Sequence, residues 1–428
     1  MKTIFWNFRI ADAHTDEFGT VIADKGVIID VLLKNKKSSP NLKQYLEEAH
    51  VLLDGQDHYV LMPGFIDMHA HFRSPGYEYQ ECLESGSLAA AAGGFTTVVC
   101  MANTNPPIDN LVQAAEIRRR ANIIGLIDLY PAVSLTKKME GKALSEINLL
   151  KEARREKNIN VPYTPLIFSE DGNDVESSSV FSRAFAAAAE LNIPVSCHCD
   201  IGGEDAATER ALDIGIEAGA HVHIAHLSTK NALDAVRKAK NKVKGRSDFA
   251  APSWVSCEAT PHHIALTEKY TRKTGAAAAV APPLRSNADR RAIIEGLMDG
   301  AIDVIATDHA PRTLEEKARG MPGFSGLETA FSICYQTLVI ENKMPLSRLS
   351  ALLSYNPAVI LGLADRGVVR KGLKADLVIV EPNEKWTFNA DCGKSRGLNN
   401  PFSGRELTGR LLFTMRSEGD VLAPLGKL

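Results

Sequence analysis

Apolar, strand-like segments alternate with helical patterns through the middle of the chain, and this alternation constrains the fold more than any other feature. Eight such segments lie between residues 59 and 364: LMPGFIDMH, FTTVVCM, IGLIDLYPAV, PLIFS, IPVSCH, HVHIAH, WVSC and DVIATD. Amphipathic patterns such as NLVQAAEIRRRAN and VFSRAFAAAAELN stand between most of them. Because such alternation is typical of a parallel sheet covered by helices, and eight strands close a (β/α)8 barrel, it predicts an α/β fold of the TIM-barrel type. A doubly wound open sheet is the alternative, but no Gly-x-Gly-x-x-Gly motif follows the first strand of this region.

The two ends of the chain consist of short β-type runs separated by turn residues. TIFWNFRIAD, TVIADKGVIIDVLLK and HVLLDGQDHYVLM lie at the N-terminal end, and GLKADLVIVEP, KWTFNAD and GRELTGRLLFTMRSEGDVL at the C-terminal end. Neither end is long enough for a β-sandwich of its own. We therefore predict that residues 1–58 and 365–428 combine in one small composite β-domain, while residues 59–364 form the barrel.

The net charge and the cysteine content limit which molecules the protein is suited to bind and in which compartment it is expected. With 49 basic and 52 acidic residues the formal net charge is −3, so no global field favours nucleic acid or an acidic membrane. The seven cysteines are thinly spread without zinc-ribbon spacing, which is typical of a reducing compartment. No apolar run approaches the 18 or so residues of a membrane helix. The sequence predicts a cytoplasmic protein that acts on a small molecule.

Residues suited to metal binding follow the carboxyl ends of five of the predicted strands. They are His69 and His71 in the first, Asp171 in the fourth, His198 in the fifth, His226 in the sixth and Asp308 in the eighth. Any one of these is ordinary, since an isolated His-x-His pair is more often structural and a lone Asp is often a loop acid. Together they predict a site for two metal ions at the face where barrel enzymes carry their active sites. Imidazole combined with carboxylate suits zinc best, with manganese or cobalt as alternatives.

Long motifs in the barrel region resemble a known family. PGFIDMHAHFR resembles the opening signature of the amidohydrolase superfamily, and AAAAGGFTTVVCMANTNPPIDN, FSEDG, HIAHLSTK and ATDHAP resemble the class I dihydroorotases. The resemblance implies reversible hydrolysis of (S)-dihydroorotate to N-carbamoyl-L-aspartate in de novo pyrimidine biosynthesis. It also implies attack by a metal-activated hydroxide, with an aspartate as general acid and base.

The family pattern also implies a role for each ligand. His69 and His71 would hold the first of two zinc ions with Asp308, and His198 and His226 would hold the second. Asp171 would bridge them, because no lysine that could be carboxylated lies between Lys157 and Lys230. This interpretation assigns the chain to an Asp-bridged branch of the family. Asp308 would also carry the proton from the attacking water to the leaving nitrogen.

The resemblance implies a substrate site as well, in which the chain departs from its family at two positions. Arg73 and Asn103 would bind the substrate carboxylate, and the backbone of Pro322 and Gly323 would contact the ring. Arg312 stands where the family usually has a substrate-binding histidine, and Ala281 stands where it has an asparagine.

Two other functions are left open, the first of them because of these departures. One is a related cyclic-amide hydrolase with shifted specificity, similar to hydantoinases or allantoinases. The other is a non-catalytic partner of aspartate transcarbamoylase, although such homologues typically lose metal ligands. We also expect a homodimer, and an association of the active enzyme with aspartate transcarbamoylase is left open.

Overall fold

The structure, a computed structural model, describes residues 1–34, 42–156, 160–244 and 255–417. Trp254 of the predicted WVSC strand and residues 418–428 of the predicted terminal domain lie outside these ranges.

The N-terminal part of the chain forms strands of an open sheet. The elements are β1 (Lys2–Ala11), β2 (Asp16–Asp24), β3 (Val27–Leu33), α1 (Leu42–Glu47), β4 (Val51–Asp54) and β5 (Val60–Pro63). β1 pairs with β2 in antiparallel fashion and with β4 and β5 in parallel, while β2 continues the sheet to β3. Their buried side chains, among them Phe5, Phe8 and Ile10, belong to a hydrophobic core separate from that of the barrel.

The middle of the chain forms eight parallel strands. They are β6 (Phe65–Ala70), β7 (Phe95–Cys100), β8 (Asp128–Pro131), β9 (Phe168–Ser169), β10 (Val195–Cys197), β11 (Val222–Ile224), β12 (Val255–Ala259) and β13 (Val304–Ile305). Continuous ladders run through two arcs, β6–β7–β8 and β9–β10–β11–β12–β13. Parallel bridges between Val133 and Phe168 and between Ala70 and His309 join the arcs at both seams. The strands therefore close in sequence order, and the predicted (β/α)8 barrel is confirmed.

Helices cover the barrel, lying between its strands and after the last of them. They are α2 (Leu83–Ala92), α3 (Leu111–Ile124), α4 (Ile147–Glu156), α5 (Ser178–Leu191), α6 (Glu204–Glu217), α7 (Lys230–Val243), α8 (Pro261–Ala265), α9 (Glu268–Thr274), α10 (Asn287–Asp299), α11 (Leu314–Ala318), α12 (Ala330–Cys334), α13 (Leu346–Ser350) and α14 (Asn356–Ile360). π-helical turns connect the last three, in a region to which the sequence analysis assigned no helix. In the described part of the chain, no helix combines the length and the apolar character that a membrane crossing needs.

Helix α5 illustrates how the sequence specifies these elements. Ser177 accepts a hydrogen bond from the Val180 backbone N–H, which satisfies one of the free donors at the helix start. Phe181 and Phe185, four residues apart, are both buried on the face that packs on the barrel. Asn192 ends the helix in the left-handed conformation, which asparagine tolerates better than most residues.

Two C-terminal strands complete the terminal sheet. β14 (Leu377–Thr387) pairs with β5 and with β15 (Glu406–Met415), so the sheet order is β15–β14–β5–β1–β2–β3. The predicted composite β-domain, with strands from both ends of the chain, is thereby confirmed. The exact limits of this domain stay a prediction. In the structure β5, which lies beyond residue 58, belongs to the terminal sheet, and only Gly64 separates it from the first barrel strand. A Cβ atom on Gly64 would meet the Thr96 Oγ1 atom at 2.4 Å, which explains glycine at this junction.

Candidate metal centre and substrate cavity

The six predicted ligands meet at one end of the barrel. Parallel strands share the rim at which their carboxyl ends lie, and each of these residues stands in or just after a barrel strand. All six are buried or nearly so: His69, His71, Asp171, His198, His226 and Asp308.

Asp171 lies at the centre of the cluster. Its Oδ1 atom is 3.1 Å from His69 Nε2 and 3.1 Å from His198 Nδ1, and its Oδ2 atom is 3.5 Å from His71 Nε2. The Nε2 atom of His226 lies 2.7 Å from His198 Nδ1. Asp308 stands beside the first pair of histidines, with its Oδ1 atom 3.1 Å from His71 Nε2 and 3.6 Å from His69 Nε2.

These side chains form two potential ligand groups that share one carboxylate. His69, His71 and Asp171 make one group, and Asp171, His198 and His226 make the other; within each group the ligand atoms lie within 4.8 Å of one another. The His69 Nε2 atom is buried without a hydrogen-bond partner, although it faces Asp171. A buried polar atom in that condition is costly, whereas a cation beside it would use its lone pair. The residues thus fit a pair of divalent cations bound through imidazole nitrogen and carboxylate oxygen.

Electrostatics keeps both carboxylates of the cluster ionised. Burial alone would raise the pKa of Asp308, but its contact with His71 and the charge of His69 lower that pKa to about 2. Burial acts in the same direction on Asp171, and the charges of His69 and His198 hold its pKa well below its ordinary value. Both groups therefore offer negative oxygen atoms near neutral pH.

Three polar side chains accept hydrogen bonds from the far nitrogens of the histidines. Asn103 Oδ1 is 2.9 Å from His71 Nδ1, so the Nε2 atom of that ring faces the cluster. Asp200 Oδ2 is 2.8 Å from His198 Nε2, which directs the Nδ1 atom of His198 inward. Such contacts select the tautomer and orientation that a metal ligand needs.

The third of these acceptors is Glu258, whose Oε1 atom is 2.7 Å from His69 Nδ1. No sequence motif predicted a role for Glu258 or Asp200. An acid inside the apolar segment VSCEA of β12 was the available signal, because a carboxylate facing a barrel interior needs a partner there.

A cavity of about 450 Å³ opens beside the cluster. Its lining includes all the predicted substrate-binding residues: Arg73, Asn103, Arg312, Pro322 and Gly323. Ala281, the position at which an asparagine is usual, also lines it. The cavity is therefore lined both by metal-binding groups and by two arginines and backbone.

Arg73 is placed to receive an anion. Its side chain is 6% exposed, its Nε atom has no hydrogen-bond partner, and within the described ranges no carboxylate oxygen lies within 4.0 Å of it. Burial, followed by the charge of Arg312, lowers its pKa to about 10. Its φ of 55° lies in the left-handed region, which is strained for arginine and recurs at functional sites.

The other predicted contacts are already partly engaged. The Nδ2 atom of Asn103 donates to Asp171 Oδ2 at 2.9 Å, so this amide joins two ligands of the cluster as well as lining the cavity. The Nε atom of Arg312 donates to the Pro322 carbonyl at 3.0 Å and its Nη1 atom lies 3.5 Å from Gln80 Oε1, while the residue also lines the cavity.

Comparison with known proteins places the chain in a family. Residues 60–416 match the model of the amidohydrolase family. The chain is 36% identical over 426 residues to the dihydroorotase of Clostridium botulinum, with 97% of this chain and 98% of that protein covered. It is 35% identical over 415 residues to the dihydroorotase of Aquifex aeolicus, with 90% and 93% covered. The chain belongs to the dihydroorotase family of amidohydrolases.

This membership confirms the resemblance that the barrel motifs carry. Among solved structures, the L-hydantoinase from Arthrobacter aurescens matches with a TM-score of 0.83, covering 100% of this chain and 97% of that one at 21% identity. A D-hydantoinase from Thermus sp. matches with a TM-score of 0.78 at 20% identity. At such identities the likeness concerns the fold, and it extends over both the barrel and the terminal sheet.

Proposed function

We propose that this site catalyses the reversible hydrolysis of (S)-dihydroorotate to N-carbamoyl-L-aspartate. The observation that carries the proposal is the buried, unpaired guanidinium of Arg73 in a cavity that also borders both ligand groups. A substrate with a carboxylate next to a ring amide would place its charge on the arginine and its amide at the cluster. The family membership supports the same substrate.

We propose zinc as the metal, with two ions in each subunit. His69, His71 and Asp308 would hold one, His198 and His226 the other, and Asp171 both. When bound, such ions lower the pKa of water and polarise a carbonyl oxygen. A carboxylate bridge accords with the sequence around Asp171, which offers no lysine for carboxylation.

The residues of the chain bind and orient the substrate. Arg73 would form a charge-assisted, two-pronged contact with the carboxylate, and Arg312 would add a second positive charge on the same side of the cavity. The backbone of Pro322 and Gly323 would hold the ring edge. Asn103 would hold the side chains of His71 and Asp171 in position and would direct its remaining N–H towards the substrate carboxylate.

Asp308 is the proposed proton carrier. Its carboxylate is ionised near neutral pH and borders the cavity, so an oxygen atom of the group is free to take a proton from the attacking water. In the reaction's second half the same oxygen would return that proton to the leaving ring nitrogen. A positioned acid–base group of this kind contributes roughly 10²–10⁴-fold to the rate.

A second candidate is the hydrolysis of a neutral cyclic amide such as a hydantoin. Ala281 and Arg312 favour it, because they replace the polar contacts that the family usually offers to the dihydroorotate ring. The buried positive charge of Arg73 argues against it, since a neutral ring would leave that charge unpaired.

Turnover of dihydroorotate, 5,6-dihydrouracil and hydantoin by the purified protein, each with and without a chelator, tests both candidates. We expect chelator-sensitive turnover of dihydroorotate and little turnover of the neutral rings. A preference for either neutral ring would instead support the second candidate, a hydrolase of neutral cyclic amides. Metal analysis of the same preparation tests the predicted two zinc ions per chain, and sedimentation tests the predicted homodimer.

A further inference from the structure

Lys317, in the short helix α11 after the last barrel strand, is a buried lysine whose amino group donates hydrogen bonds to three backbone carbonyls. Its side chain is 3% exposed. The Nζ atom donates to the carbonyl oxygens of Ala279 at 2.6 Å, Gly323 at 2.9 Å and Met321 at 3.1 Å. Three hydrogen bonds use every donor that an ammonium group has.

These three carbonyls belong to two loops that wall the substrate cavity. Ala279 lies two residues before Ala281 in the loop between α9 and α10, while Met321 and Gly323 follow α11. Ala281, Met321 and Gly323 all line the cavity. One side chain therefore ties together the two segments between which a substrate ring would lie.

Other contacts show that the junction is tight. The Gly323 backbone N–H also donates to the Ala279 carbonyl at 3.1 Å, and Asn399 Nδ2 donates to the Gly323 carbonyl at 2.9 Å. Gly323 has a φ of 129°, and a Cβ atom on it would meet the Ala310 carbonyl oxygen at 2.5 Å. The backbone that would face the ring thus has little freedom to shift while Lys317 is in place.

The charge of Lys317 is not balanced by an acid. Within the described ranges no carboxylate oxygen lies within 4.0 Å of Nζ, which instead lies 5.0 Å from the centre of the Phe324 ring. Burying an ammonium without a counter-ion is unfavourable, whereas an apolar side chain of similar length would fill the space at lower cost. Packing alone therefore does not account for a lysine here, and its three directed hydrogen bonds do.

We propose that Lys317 is a positioning residue for substrate binding, which holds the Pro322–Gly323 backbone against the Ala279–Ala281 loop. The inference rests on the proposed function, because it takes this cavity as the substrate site. Lys317 touches no reacting atom, so its loss should weaken binding of the ring more than it slows the chemical step.

The test compares Lys317→Met with Arg319→Met in steady-state turnover of dihydroorotate by the metal-loaded enzyme. Methionine keeps the length and apolar stem but has no donor. Arg319 is an exposed cation in the same segment, so its removal controls for loss of a positive charge nearby. We expect Lys317→Met to raise KM roughly 10- to 100-fold with kcat reduced less than about threefold, because small misplacements of binding groups have effects of this size. Arg319→Met should leave both constants within about twofold of wild type.

A KM for Lys317→Met within about twofold of wild type, or a loss confined to kcat, would overturn the proposal. So would an equal rise in KM for Arg319→Met, which would indicate a general charge effect. If Lys317→Met does not fold, as judged by circular dichroism, Lys317→Gln takes its place with the same criteria. A wild-type enzyme inactive on dihydroorotate would instead refute the proposed function. The same comparison would then be made with the cyclic amide that the enzyme does hydrolyse.

Discussion

Replacing Glu258 with glutamine should weaken metal binding without changing the shape of the barrel interior. The Glu258 side chain is fully buried and accepts hydrogen bonds from His69 Nδ1 at 2.7 Å, from His223 Nε2 at 3.1 Å and from the His226 backbone N–H at 3.3 Å. Burial would raise the pKa of this carboxyl, but the charge of His69 and the hydrogen bond from His223 hold it well below its ordinary value. An ionised carboxylate only accepts, so both histidines must donate to it.

The tautomer of His69 follows from that constraint. Because Glu258 holds the proton on Nδ1, a cation that binds displaces the proton on Nε2, and the neutral ring then offers its Nε2 lone pair beside Asp171. Glutamine has one accepting oxygen and one donating nitrogen, so it cannot accept from both His69 and His223. With the amide oxygen towards His69, that hydrogen bond loses its charged acceptor and His223 must change tautomer to accept from the amide nitrogen. With the nitrogen towards His69, the ring proton moves to Nε2 and blocks the ligand atom.

The size of the effect follows from the contact that is lost. A hydrogen bond to a charged group contributes about 1.5–3 kcal/mol, which corresponds to roughly 10- to 140-fold in an equilibrium constant. Changes to groups that orient metal-bound histidines typically lower metal affinity 10- to 100-fold, in the same range. We therefore expect the dissociation constant of an ion at His69 to rise roughly 10- to 100-fold. That of an ion at His198 and His226 should change little.

Competition with a chromophoric chelator measures this change directly, without relying on turnover. Asp200→Asn is the matched control, because Asp200 supports His198 in the same way but its side chain is 53% exposed, so water can replace it. We expect a smaller effect from the control. If Glu258→Gln bound metal as tightly as wild type, the inferred role of Glu258 in fixing the His69 tautomer would be wrong.

Three further predictions concern binding, catalysis and stability. Arg73→Met should raise KM for dihydroorotate roughly 10- to 200-fold through loss of a charge-assisted contact, while any slow turnover of 5,6-dihydrouracil, which has no carboxylate, stays unchanged; equal loss on both substrates would contradict this. Asp308→Asn should keep the melting temperature within a few degrees and lower kcat by roughly 10²-fold or more, and a tenth of wild-type turnover under saturating zinc would exclude Asp308 as the proton carrier. Asp128 is buried between Arg366 and Arg416, at 2.7 Å from each, so Asp128→Asn should lower the free energy of unfolding by about 3–5 kcal/mol, measured by urea denaturation. Because these arginines lower the Asp128 pKa in the folded state despite its burial, this stabilisation is present above about pH 4 and is lost as the pH falls further, so the variant's deficit should shrink in acid.

The parts of the molecule that could be predicted from sequence are those with a regular hydrophobic pattern or a recognisable motif. The eight barrel strands alternate with amphipathic helices, and the histidines that follow them are recognisable because parallel strands end at a common rim. Glu258 was missed because nothing in the sequence around it indicates that its partner is His69, 189 residues away along the chain. Lys317 was missed for a related reason: a lysine in a short polar helix indicates solvent exposure, and nothing in its own segment shows that the Ala279 carbonyl lies against it. Asn103 was assigned to the substrate, and its bonds to His71 and Asp171 depend on distances that spacing along the chain does not contain.

The two arcs of the barrel also divide the metal ligands between them. His69 and His71 stand on the arc of β6, β7 and β8, while Asp171 follows the first strand of the other arc. Isolated bridges join the arcs at the seams, so the backbone ladder there is thinner than within either arc. A cation held by ligands from both arcs would link the two arcs, and its binding free energy would add to the free energy needed to separate them. Asp171, which belongs to both ligand groups, would then also influence how easily the two arcs separate. Amide hydrogen exchange near Phe168 should therefore slow as metal is added.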